Sequence, residues 1–169
     1  MTEKEYNDYF DACIDTALQE FADIVFKHME NVPGFPDEIT SDTPLKPTSR
    51  LIHELESHFQ YEDSDLFNAK TVGELFDPIC DQLEKRIPWW IFISDFANEA
   101  GHTNEPYSDY VPWKLPFDDL DRVMILTDFE AEYDLDIETP RLDDTDDFFH
   151  NHGEWLDLLG PYIESLGEE

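Results

Sequence analysis

Apolar residues recur at helical spacing along most of the chain. Tyr6, Phe10, Cys13, Ala17, Phe21, Ile24 and His28 lie three or four residues apart and predict a long helix over 3–29. Thr2 followed by Glu5 has the form of a capping box at its start. Two prolines and a glycine in ENVPGFP (30–36) end it, and 37–49 reads as a loop. Leu51, Ile52, Leu55 and Phe59 predict a helix over 48–60, followed by an irregular connector over 61–70. Thr71 is a good N-cap for a helix over 72–86 that turns Val72, Leu75, Phe76, Ile79, Cys80 and Leu83 to one side. Pro88 separates this helix from an aromatic one over 88–99, which Gly101 ends.

Residues 101–117 hold Pro106, Pro112 and Pro116 and read as a loop. An amphipathic helix is expected over 118–133, with Leu120, Val123, Leu126, Phe129 and Tyr133 inward. A short helical turn is expected near 145–149. A last helix over 152–166 uses Trp155, Leu158, Leu159, Tyr162 and Ile163 despite Pro161. No Asn-Gly hairpin signal occurs. The fold class is therefore mainly α, a compact bundle of about five to six helices. The chain is expected to form a single acidic helical domain, 1–169. The candidate junction, 101–117, would divide it into lobes 1–100 and 101–169.

Charge changes the picture. The chain of 169 residues has 42 Asp and Glu against 10 Lys and Arg, a net charge of −32. Direct nucleic-acid binding is excluded on this ground, because such a field repels phosphates. Anionic membrane surfaces are disfavoured for the same reason. An aromatic content of 14% sets the chain apart from a disordered acidic tail. Adaptation to high salt is a competing account, but such proteins lower their bulky apolar content, and this one has 13 Phe, 7 Tyr and 4 Trp. The charge is uneven: 1–86 hold 20 acids and 7 bases, whereas 87–169 hold 22 acids and 3 bases. The N-terminal MTEKEYNDYF has no secretory features, and the strongly apolar stretch Ile87–Ile93 is too short for a membrane span. Cys13 and Cys80 read as buried free thiols. A soluble cytoplasmic protein is expected.

The segment DDLDRVMILTDFEAEYDLDI (118–137) resembles helix II of acyl carrier proteins and its exit. That family shows D-S-L-D-x-V-x-L, then L-E-x-x-F, then an Ile. The matching positions are Leu120, Asp121, Val123, Phe129, Glu130, Tyr133 and Ile137. The helix over 152–166 would correspond to the family's helix IV. Residues 51–83 have a looser likeness through Leu55-Glu56, Phe59 and Thr71-Val72. The family attaches phosphopantetheine to the serine of D-S-L, but that position here is Asp119, and near Leu45 in the earlier segment. The resemblance thus implies a helical bundle with an acidic second helix and no prosthetic group. It would serve as a docking module.

Catalytic and metal signals are thin. His150 and His152 stand beside Asp143, Asp144, Asp146 and Asp147, but two histidines do not close a Zn²⁺ site. Asp134, Asp136 and Glu138 lack the glycine of a Ca²⁺ loop. His53 and His58 near Glu54 and Glu56 are better read as a solvated helix face than as an acid–base pair. No nucleophile elbow or phosphate loop is present, and neither enzymatic activity nor a cofactor is expected. The acid remains. Asp118, Asp119, Asp121, Asp128, Glu132 and Asp136 would line one helix, with Trp89, Trp90 and Trp113 as candidate exposed anchors beside a mainly buried aromatic belt. Carboxylates spaced along a rigid helix imitate a line of phosphates and attract a basic protein that normally holds nucleic acid. Immunity proteins or antitoxins that neutralise a nuclease, and DNA mimics that block a defence enzyme, both use this physics.

Overall fold

The computed structural model describes residues 1–61, 64–103, 110–136, 148–149 and 155–167. These are mainly helical, with isolated bridges but no strand among them. In chain order they form α1 (Glu3–Met29), α2 (Ser49–Phe59), a 3-10 turn (Ser64–Asn68), α3 (Val72–Glu99), α4 (Asp119–Tyr133) and α5 (Leu156–Glu164). The chain divides into two units, 11–84 and 1–10 with 85–169. The expected junction at 101–117 lies inside the latter.

In the 11–84 unit, α1 and α2 bury a mixed core that includes Ala17, Phe21, Val25, Leu51, Ile52, Leu55 and Phe59. Phe21 meets Phe76 of α3 at 4.8 Å between ring centres. Thr48 caps α2 by accepting from the Leu51 N–H. Gln60 ends α2 in the left-handed conformation, φ 54°. The first N–H groups of α3 lack helical acceptors and are satisfied by the preceding loop. Val72 donates to the Thr43 carbonyl and Gly73 to the Ser41 carbonyl, both at 2.9 Å. Thr71 accepts from the Glu74 N–H, while Glu74 accepts from the Lys70 N–H. A side chain at Gly73 would place Cβ 2.9 Å from the Ser41 oxygen, so this close approach requires glycine.

In the other unit the α1 start is a capping box, with Thr2 and Glu5 bonded in both directions. The core is aromatic: Trp89, Trp90, Phe92, Phe117, Phe129, Phe148 and Phe149 are all buried. Pro88 does not end a helix, contrary to the sequence expectation, and α3 runs through it. An internal proline costs about 3 kcal/mol. Here Ile87, Trp89, Trp90, Ile91, Phe92 and Ile93 around it are all buried, and their burial outweighs that cost. Pro161 is likewise inside α5. The turn expected near 145–149 lies outside the described residues except for Phe148 and Phe149.

A second correction concerns the rotation of α4. Ile125, Leu126 and Phe129 are buried, as expected for the last two, but Leu120 is 62% exposed and Met124 47% exposed. Tyr133 is partly open, 36% exposed, with its ring against Phe129. The run from Leu120 to Phe129 has apolar residues on two sides of the helix, so periodicity alone does not choose the inward one. Packing does: the Phe129 ring stands 5.2 Å from those of Phe96 and Phe148 and 6.0 Å from those of Trp89 and Phe92.

Candidate functional site

The solvent face of α4 gathers the carboxylates read from the sequence. Asp118 is the N-cap and accepts from the Asp121 N–H at 2.8 Å. Asp119 and Asp121 occupy the first turn, where negative charge suits the helix dipole. Asp118, Asp119, Asp128, Glu132 and Asp136 are exposed and Asp121 is half-buried. Asp134 ends the helix in the left-handed conformation, φ 50°, its N–H bonded to the Glu130 carbonyl. Little positive charge answers this face. Arg122 lies 3.9 Å from Asp119, and the His102 imidazole meets Asp128. Arg122 also sits 5.9 Å over the Phe149 ring, turned toward the core side.

Toward its C-terminal end α4 borders a concavity of about 550 Å³ with the end of α3. Phe96, Tyr133, Glu99, Asp128 and Glu132 line it with two alanines. Burial first, then Glu132 and Glu99, raises the Tyr133 phenol above its ordinary pKa. Its rings and carboxylates favour a cationic side chain and repel a phosphate.

The three tryptophans do not join this surface. Trp89, Trp90 and Trp113 are buried, so the anchor reading is corrected and the core reading stands. The Trp89 indole donates to the Phe148 carbonyl and the Trp90 indole to the Tyr9 hydroxyl, both at 2.9 Å. Internal partners thus satisfy the polar handles that would make them interface residues. Leu120, expected inside from its spacing, and Met124, which that spacing left unassigned, are the most exposed large apolar side chains of α4.

The histidines of α1 and α2 act as ties. His28 and Lys27 both bond Glu54, and His58 bonds Glu20 at 2.8 Å. The Lys27 hydrogen bond holds the Glu54 carboxyl below the usual range against the opposing effect of burial, and His28 adds to it. Cys13 and Cys80 are free, Cys13 buried and Cys80 half-buried. Burial, then the nearby Glu84 and Asp81, push the Cys80 thiol up to about 11. Among the described residues no three His, Cys, Asp or Glu side chains are grouped to hold a metal. His150, His152 and the acids at 143–147 lie outside those residues. No described helix is long and apolar enough to cross a membrane.

No protein-family model matches this chain, and neither a curated protein nor a solved structure aligns with it.

Proposed function

We propose that this chain is a non-enzymatic acidic inhibitor that binds a basic, nucleic-acid-processing protein. Its strongest form is an immunity or antitoxin protein that neutralises a nuclease, with a DNA-mimicking anti-defence protein as the near neighbour. The observation that carries the reading is the solvent side of α4, where Asp118, Asp119, Asp128 and Glu132 are exposed along the helix and its N-cap and Asp136 is exposed just past its end. With a net charge of −32, the chain accelerates encounter with a cationic partner and repels nucleic acid that competes for it. Concentration of acid beside one aromatic-walled concavity favours the immunity form over a mimic, which would spread carboxylates in two rows.

The test is capture of partners on the immobilised chain at low salt and at roughly 0.5 M salt, where the Debye length falls to a few ångströms. Titration of the captured protein's nuclease activity follows. A basic nuclease retained at low salt and silenced stoichiometrically is the expected result. Asp128→Asn, Glu132→Gln and Asp136→Asn together should then weaken binding while leaving the fold intact. A partner that binds but stays active, or recovery of acyl-chain biosynthetic enzymes, would replace inhibition with an acyl-carrier-like docking role. Unchanged affinity and salt dependence in the triple variant would remove α4 as the site.

A further inference from the structure

The solvent side of α4 is not uniformly polar. Leu120, Met124, Thr127 and Ala131 follow the spacing i, i+4, i+7, i+11, and all four are exposed. At 100° per residue they fall within about 60° of arc. This stripe lies opposite Ile125, Leu126 and Phe129, which face the core. Acid flanks it on both sides: exposed Asp128 and Glu132 with half-buried Asp121 along one edge, exposed Asp119 with half-buried Glu130 along the other. The helix therefore carries a buried apolar face and, on its other side, an exposed stripe centred on Leu120 and Met124.

We infer that α4 docks as a helix in a groove, its outer stripe on an apolar floor and its flanking carboxylates against rims of lysine and arginine. The spacing is that by which grooves read amphipathic helices. Charge complementarity identifies the occupant. A second copy of this chain would bring two surfaces of the same sign together, and an anionic membrane would repel them equally. An apolar groove with cationic rims satisfies both parts of the face. Under this inference Leu120 and Met124 take the anchoring part that the buried tryptophans cannot play. It rests on the proposal that the chain binds a basic protein and names the chemistry of that partner's site.

The test uses two synthetic probes, an amphipathic peptide of leucine and lysine and an oligolysine of equal charge. Each is titrated by calorimetry and by amide NMR into the parent chain and into Leu120→Ser/Met124→Ser. Both positions are exposed, so helix content and thermal midpoint should match the parent. The leucine–lysine peptide should bind the parent more tightly and shift the amides of Leu120, Met124, Thr127 and Ala131. The double variant should lose about tenfold in affinity for that peptide and nothing for oligolysine. Equal loss or no loss for both probes, or shifts confined to other elements, would overturn the docking stripe while leaving acidic binding intact. Failure of both probes to bind the parent at roughly 0.15 M salt would overturn the acidic-binding proposal with it.

Discussion

The two units keep their folds by different means. The 11–84 unit joins α1 to α2 through a mixed core of aliphatic side chains with Phe21 and Phe59, and through polar ties: Glu54 with Lys27 and His28, and Glu20 with His58. The unit of 1–10 and 85–169 relies on interlocked rings, with Trp89 beside Phe92, Phe129, Phe148 and Trp155. In the first, Lys27 and two histidines are occupied in tying helices together. In the second, cohesion comes from rings, and the carboxylates of α4 are left toward solvent. A chain with four acids for every base has few cations for surface ties. Building the more acidic unit around aromatic burial leaves its charge facing solvent.

The sharpest way to break this contrast is to remove a ring. Trp89→Ala should cost about 3–5 kcal/mol, from lost burial and the cavity left behind. Chemical denaturation followed by aromatic circular dichroism measures it, and a loss under about 1 kcal/mol would mean the cluster is not the mainstay of its unit. Gly73→Ala comes next. Its Cβ would press on the Ser41 carbonyl, and a loss of about 1–3 kcal/mol is expected from displacement of the loop that caps α3. Asp118→Ala removes the N-cap of α4 and should cost about 1 kcal/mol, read as a lower thermal midpoint.

The smallest effect belongs to the ionic ties. Glu54→Gln should cost about 0.5 kcal/mol near neutral pH, as an accessible ion pair does. Because folding lowers the Glu54 pKa, its contribution is complete above the ordinary carboxyl range and is lost as pH falls through the folded value. The gap between parent and variant should therefore begin to narrow near pH ~4 and close once the pH is below the folded value. A gap that persisted in acid would show that shape, rather than charge, holds α1 to α2.

Local chemistry was readable from the chain alone. Thr2 with Glu5 and Thr71 with Glu74 begin helices because their hydrogen bonds span three residues and need nothing distant. The helices of 3–29 and 48–60 were legible because each has one dominant apolar stripe. Continuity through Pro88 was not, since it depends on burial that the residues around it find elsewhere in the chain. The rotation of α4 was hidden for a related reason: two stripes compete, and only the rings of Trp89, Phe92, Phe96 and Phe148 decide between them. The acidic residues of the site were evident from composition and spacing. Its proposed apolar members were not, because Leu120 shares the spacing of the core positions and Met124 stands out only once Ile125 and Phe129 fill the core.

The environment of Cys80 has a chemical consequence. With its thiol held up to about 11, only about one molecule in ten thousand carries the thiolate at pH 7. Peroxide, alkylating reagents and other thiols all react through that anion. Burial, with the neighbouring carboxylates, thus passivates the sulfur, and the half-buried cysteine should resist oxidation and mixed-disulfide formation far longer than a free thiol on an ordinary surface.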